Sequence, residues 1–525
     1  MSCRSERSIA FLLFVVLVVQ VPSLRAADVQ PIVGSVPPYV TQAADQGPAD
    51  SAERLHLVVV LRMQDEATMR SLADSFRVTP LTHAQVIARF SPSITQSATV
   101  VAWLRSQSLN VTSVSDDRTL IEVEATVGLA EEAFGVSLHE YRVGNHTLLS
   151  SSSDPLVPAD IAPGIQAIVG LSEAPLTTLL QLSSQASTLT SGSPPFGPAD
   201  LRNAYDVTTL VSSTADGRGK AIAITGWGPA DQVALNEYDS SFGLPAATIT
   251  YHDPSGGASC GGGSNVEWDL DVQMEHAMSP GASIHSYCGS AATLSAMLTI
   301  IGRVVTDNTA DVISQSWGTC EGFVSSATAS AYETKLTEAA AQGQAFFTSS
   351  GDGGSRECTR FSSDQRISPS FPATAPHTTS VGGTALTMSG SSYSSESAWN
   401  TCTPCSGGAY AASGGGRSQY FSRPSWQSPA GAETMRASPD WSADADPATG
   451  VAVRSGGAWY QVGGTSVSSP MLAGLWGDLV SAGGRLGNAG PKIWGASSTD
   501  YATVFRDITT GTNGDFSAGP GYDFP

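Results

Sequence analysis

Gly463-Gly464-Thr465-Ser466-Val467-Ser468-Ser469-Pro470 runs directly into the apolar stretch 471–480. The stretch 471–480 has helical character, so the segment sets Ser466 at the start of a helix. Its small residues allow close packing, and a helix N-terminus favours developing negative charge. A serine in that position is a candidate nucleophile. It needs a base to take its proton.

Carboxylates are the obvious candidates for that base. Glu267-Trp-Asp-Leu-Asp271 opens a helical pattern over 267–278. Residues at i and i+4 project from one helix face, so Glu267 and Asp271 form a pair. Like charges so close disfavour double ionisation, and the pair shares a proton at acid pH. Ser264-Asn-Val-Glu267 also matches a capping box, in which Glu267 only satisfies the helix start. A third acid, Asp352, lies in Ser350-Gly-Asp-Gly-Gly354 after the apolar run 345–349. There it is either a turn former or, when protonated in a dry cleft, a hydrogen-bond donor to a developing oxyanion.

The rest of the chain places these residues in a fold. At 525 residues with 41% apolar content, it is long enough for two or three domains. Residues 55–171 mix strands (55–61, 119–125) with helices (65–76, 81–90, 97–107, 127–134), an α+β pattern. The stretch 181–198 is rich in Ser, Thr, Gly and Pro without apolar period, and is expected to be an exposed linker open to proteolysis. Beyond it, short apolar strands (220–226, 284–287, 312–316, 345–349) alternate with helices (267–278, 291–305, 327–342). That alternation implies an α/β fold with a central parallel sheet covered on both faces.

Composition narrows the function. The chain carries 47 acidic and 26 basic residues, net −21, with lysine only at Lys220, Lys335 and Lys492. A nucleic-acid surface or a polybasic membrane patch is therefore not expected. Arg4 and Arg7, the apolar run 9–19 and Ser23-Leu-Arg-Ala-Ala27 form a secretory signal layout over 1–27. Six cysteines remain after it (Cys260, Cys288, Cys320, Cys358, Cys402, Cys405), compatible with up to three disulfides of open pairing. Asn110-Val-Thr112 and Asn145-His-Thr147 are glycosylation acceptors.

Subtilisin-type serine peptidases carry a segment very similar to Gly464–Pro470, but their histidine base stands in a His-Gly context. None of the eight histidines here is followed by Gly. Taken together, Ser466, the Glu267/Asp271 pair and Asp352 resemble the sedolisin family of serine-carboxyl peptidases, which includes the tripeptidyl-peptidases. Phe371-Pro-Ala-Thr-Ala-Pro-His377 through Gly382-Gly-Thr384, Ser413-Gly-Gly-Gly-Arg-Ser418, Arg423-Pro-Ser-Trp-Gln427 and Arg436-Ala-Ser-Pro-Asp440 also follow its pattern. Leu81–Phe90, Val101-Ala-Trp-Leu104, Ala133-Phe-Gly135 and Ile168-Val-Gly-Leu171 resemble its activation prodomain.

The resemblance implies a subtilisin-like catalytic domain over 199–525, an activation prodomain over 28–180 and a processed linker over 181–198. It implies Ser466 as nucleophile, Glu267 as general base, Asp271 as the partner sharing its proton, and Asp352 as oxyanion donor. It further implies one structural calcium ion, bound by the carboxylates of Asp507 and Asp523 and the carbonyls of Ile508, Gly519 and Gly521. The expected activity is acid peptide hydrolysis by a self-processing zymogen, secreted or lysosomal, with peptide or protein substrates and its own prodomain as inhibitor. Two rival readings are a catalytically silent secreted binding protein on the same scaffold and a subtilisin-type enzyme relying on His252, His276 or His285.

Overall fold

The computed structural model describes residues 28–75, 79–183, 189–211, 215–253, 260–261, 263–401, 411–430 and 433–525. The signal layout and the pair Cys402/Cys405 lie outside the described residues.

The larger part is built on an eight-stranded sheet. Its order is Ile249–His252, Ser283–Cys288, Ala221–Gly226, Val312–Gln315, Ala345–Ser349, Thr379–Ser389 and Ser392–Ala398, and Trp441–Asp444 also pairs with Thr379–Ser389. Neighbours run parallel except for the last hairpin, Thr379–Ser389 with Ser392–Ala398. Every residue of Ala221–Gly226, Val312–Gln315 and Ala345–Ser349 is buried. That is why these strands read as continuous apolar runs instead of alternating ones. The helices Leu294–Asp307 and Ser326–Ala341 cover one face. The carboxylate helix Val266–Met278 and the serine helix Thr465–Gly483 bring apolar side chains into a second core with Ile222, Val312 and Phe347.

The N-terminal part carries a four-stranded antiparallel sheet, in the order Asn110–Val114, Leu120–Thr126, Arg54–Leu61 and Ile165–Val169. The helices Glu66–Ala73 and His83–Arg89 are shorter than the apolar period implied, Ile94–Ser106 starts three residues earlier, and Val127–Phe134 keeps its expected bounds, with caps at Asp65, Thr82, Ser93 and Thr126 setting their starts. This sheet lies on the helix pair of the larger part, and Val58, Val60 and Val169 share one core with Ile300, Val304 and Leu336.

Charges cross the same contact. Lys335 is fully buried between Asp117 of the N-terminal part and Glu338. Arg70 pairs with Glu333 at 3.0 Å, and His377 lies 3.2 Å from Asp74 and 2.6 Å from Glu333. Burial alone would raise Asp117, but the Lys335 ammonium overrides it and holds the carboxyl far below its usual range.

Among the described residues two disulfides are present, Cys260–Cys288 and Cys320–Cys358. Among the described residues no helix is long and apolar enough to cross a membrane. Asn110 and Asn145 are both exposed.

Candidate active site

The serine helix begins at Thr465, six residues before the apolar stretch that marked it in the sequence, and Ser466 is its second residue. Pro470 stands inside the helix. It forfeits only the hydrogen bond that its missing N–H would have made to the Ser466 carbonyl. Gly464 caps the helix at φ +97°, a left-handed conformation that a side chain rarely adopts. A Cβ there would fall 2.2 Å from the Leu179 carbonyl oxygen and 2.9 Å from Asp352 Oδ2.

Four side chains meet at this point. Ser316 and Asp352 follow the C-terminal ends of the adjacent parallel strands Val312–Gln315 and Ala345–Ser349, where α/β sheets present their sites. Ser316 Oγ donates to Asp271 Oδ1 at 2.6 Å, and the Ser316 carbonyl accepts from Ser466 Oγ at 3.3 Å. Asp352 Oδ1 accepts from the Thr465 amide at 2.9 Å and from its hydroxyl at 2.8 Å. Ser466, Glu267, Asp271 and Asp352 are all buried.

The capping-box reading of Glu267 does not hold. The helix is capped by Asn265, whose Oδ1 accepts from the Glu267 amide, while Ser264 Oγ donates to Asp269. Both Glu267 carboxyl oxygens are buried without a hydrogen-bond partner among the described residues, as is Asp271 Oδ2. Burial, reinforced by the charge of Asp271, holds the Glu267 carboxyl well above its usual range. The nearby hydroxyls of Ser466 and Thr178 pull it down only in part. Burial also raises Asp271 well above its range against the pull of the Ser316 hydroxyl. Asp352 is raised by burial, with Arg360, Thr465 and Gln181 opposing. Three carboxyls at one point, all favoured in the neutral form, make a proton-holding site.

The histidines stand elsewhere. His276 faces the Pro245 carbonyl and Asp239, and His252 on the edge strand stacks beside His285 on the neighbouring strand. A histidine-dependent reading has no support here.

Residues 177–183 thread the cleft as an extended strand. Thr177 and Thr178 pair antiparallel with Gly318 and Trp317, and Gln181 and Leu182 with Gly463 and Val462. Between the two pairings, the Leu179 amide donates to the Ser316 carbonyl at 3.1 Å, and the Leu179 carbonyl accepts from the Ser466 amide at 3.0 Å. The Leu179 side chain is fully buried and lies over Gly318. Gln181 Nε2 donates to Asp352 Oδ2 at 3.3 Å. The expected linker is thus tied down at both ends, by Gln181–Leu182 in the cleft and by Phe196, which is buried beside Val451. Its middle, 184–188, lies outside the described residues.

Sequence reasoning did not single out Arg360. It is held by Glu357 at 3.1 Å, donates to the Thr178 carbonyl at 3.3 Å, and its charge acts on Asp352 and Glu267. No pattern in the sequence marks it, because it comes from a short 3₁₀ turn, Glu357–Arg360. Ser316 was legible as the end of an apolar strand, but its three hydrogen bonds were not.

The residues expected to hold a cation come from the C-terminal stretch 507–523. Asp507, Ile508, Gly521 and Asp523 line a cavity of about 770 Å³ together with Trp441, Tyr501 and Tyr522. Asp507 accepts from the Gly521 amide and the Tyr501 hydroxyl, and Asp523 from the Gly519 amide.

Comparison with known proteins now bears on this geometry. Residues 41–174 match the family model of the pro-kumamolisin activation domain, and residues 143–489 that of the subtilase family. The overlap 143–174 belongs structurally with the N-terminal sheet, since Ile165–Val169 pairs with Arg54–Leu61. Sedolisin of Pseudomonas sp. (strain 101) is 32% identical over 506 residues, covering 90% of this chain and 85% of that protein. This chain belongs to the sedolisin family of serine-carboxyl peptidases. Within the sedolisin family, kumamolisin of Bacillus sp. (strain MN-32) is 29% identical over 521 residues, covering 92% of this chain and 91% of kumamolisin. Human tripeptidyl-peptidase 1 is 25% identical over 533 residues, covering 91% of this chain and 90% of that one. The solved structure of Pseudomonas sedolisin complexed with two molecules of pseudo-iodotyrostatin matches with a TM-score of 0.57, covering 64% of this chain and 95% of that one. As a sedolisin with an activation domain, the chain is a serine-type peptidase zymogen acting on peptides, with its prodomain as an intramolecular inhibitor.

Proposed function

We propose that the chain is an acid-active serine-carboxyl peptidase that cuts itself between Leu179 and Leu180. One observation carries this reading: the Leu179 carbonyl is seated on the Ser466 amide at 3.0 Å, beside Asp352. In the proposed reaction Ser466 Oγ turns from the Ser316 carbonyl toward Glu267 and attacks the Leu179 carbonyl carbon. Its proton passes to Glu267, which Asp271 orients and whose proton it shares. The oxyanion is held by the Ser466 N–H and by the neutral carboxyl of Asp352. Collapse breaks the Leu179–Leu180 C–N bond, and Glu267 returns the proton to the Leu180 amine. Water then releases the acyl chain by the same steps in reverse. Since the base must be ionised while Asp352 keeps its proton, the reaction belongs to acid pH.

Three further assignments belong to the same reading. Residues 1–27 direct the chain into the secretory route, and it acts outside the cell or in a lysosome. The two disulfides and the exposed acceptors Asn110 and Asn145 support an oxidising, glycosylating route. One Ca²⁺ ion is held by Asp507, Asp523 and the carbonyls of Ile508, Gly519 and Gly521. Their all-oxygen donor set suits a hard cation. Asp523, pushed up to about 6 by burial and then by the charge of Asp507, is a carboxyl that a cation would relieve.

The test is to express the full chain with and without Ser466→Ala and shift each from neutral pH to about pH 4. Loss of the N-terminal part together with onset of peptide hydrolysis, in the unmutated chain alone, is the expected outcome. Hydrolysis that survives Ser466→Ala rejects the assignment.

A further inference from the structure

The carboxylate helix holds one more acid than the proposed reaction uses. Glu275 stands one helical turn beyond Asp271, as Asp271 stands one turn beyond Glu267, so the three share a face about 6 Å apart along the axis. Glu275 is 1% exposed, and neither of its carboxyl oxygens has a partner among the described residues. A lone ionised carboxylate in such a place is costly, so Glu275 favours its neutral form. Burial holds it well above its usual range, and the charge of Asp271 adds to that.

The other charged groups packed against this helix bind groups other than the Glu275 carboxyl. Arg202 donates to the Ala277 carbonyl, Asp478 of the serine helix accepts from Ser279, Asp239 faces His276, and Glu237 binds Arg454. The serine helix touches this turn directly. A Cβ on Gly474 would fall 2.9 Å from the Glu275 carbonyl oxygen and 2.8 Å from Met278 Cβ.

We propose that Glu275 is a positioning residue, the third carboxyl of a column with Glu267 and Asp271, which sets how far toward neutral pH that pair keeps its shared proton. This rests on the base-pair reading above. As pH rises the three acids compete for negative charge, and each carboxylate formed opposes the next. The pair works with one negative charge and one shared proton, so loss of that second proton, like that of Asp352, falls on the alkaline limb. Removing Glu275 as a competitor for the second charge lets the shared proton leave at lower pH.

The measurement is the pH profile of kcat/KM for the activated enzyme with and without Glu275→Gln. The alkaline limb is expected to move down by roughly half a unit to one unit, which reads as a three- to ten-fold loss at a fixed pH on that limb. A limb that stays in place while the melting temperature changes would assign Glu275 to packing alone and overturn the proposal. Should Glu275→Gln not fold, ¹³C-carboxyl NMR of the labelled full-length Ser466→Ala chain gives the same decision. Glu275 must titrate in steps shared with Asp271, and independent single-site titration overturns it. If Glu267→Gln and Ser466→Ala both retain hydrolysis, the base-pair reading itself has failed. If they are inactive and only the Glu275 profile is unmoved, this inference alone falls.

Discussion

Leu179 places its carbonyl oxygen 3.0 Å from the Ser466 amide, with its own amide bonded to the Ser316 carbonyl. A segment of the prodomain side therefore occupies the cleft as a peptide substrate would, paired to 317–318 on one side of the serine and to 462–463 on the other. The same strand that blocks the cleft presents a bond to it.

The new N-terminus after acid processing is expected to be Leu180, read by mass spectrometry of the released fragments. Leu179→Asp, which puts a charge where a fully buried leucine lies over Gly318, should slow that cut by at least ten-fold. Cleavage first at 184–188, with Leu180 exposed only later, would show that the cleft strand is not the first substrate.

Asp352 is assigned a donor role that needs its neutral form. Asp352→Ala should lower kcat by about 10²–10³-fold, the usual loss for one oxyanion donor. Asp352→Asn keeps a donor that does not titrate. Its profile of kcat/KM should lose less at its maximum and fall off at higher pH than the unmutated enzyme.

Arg360 opposes the rise that burial causes in Asp352 and donates to the Thr178 carbonyl. Arg360→Gln removes both effects. Asp352 then stays neutral to higher pH, so the alkaline limb moves up while KM for a peptide rises several-fold. Steady-state kinetics across pH separates the two.

Acid release of the prodomain should run through Asp117. Its folded carboxyl is lowered by Lys335, so its contribution is present above the unfolded value near 4 and is lost as pH falls toward the folded one. His377, raised to about 9 by Glu333 and Asp74 against burial, works oppositely. Its contribution is complete below the unfolded value near 6.5 and lost as pH rises through about 9. Acidification thus loosens the Asp117 lock first. Asp117→Asn leaves Lys335 buried with Glu338 alone, at a cost of about 3–5 kcal/mol. It should move processing of the purified full chain toward neutral pH, followed by gel mobility.

Calcium removal tests the C-terminal loop. Chelation should lower the melting temperature of the activated enzyme, and Asp523→Asn should abolish that dependence. No shift on chelation in the unmutated protein would leave the loop without a metal role.

Much of this was readable from residue order alone. Continuous apolar strands alternating with helices named a doubly covered parallel sheet, because both faces of Val312–Gln315 and Ala345–Ser349 are buried. Glu267 and Asp271 were a pair by helix periodicity, a local property. The absence of a His-Gly element directed attention to carboxylates before any geometry was available. Whether Glu267 was a cap or a base was not decidable locally, since both readings need the same helix start. The structure decides it, because Asn265 takes the cap and leaves the Glu267 carboxyl facing the site. Arg360, the hydrogen bonds of Ser316 and the seating of Leu179 on Ser466 join residues 45 or more positions apart. Sequence determined which elements form and which chemistry they carry, through periodicity and composition. Only the packing of chain termini, turns and strands from separate regions decided which groups meet, because long-range contacts leave no local pattern.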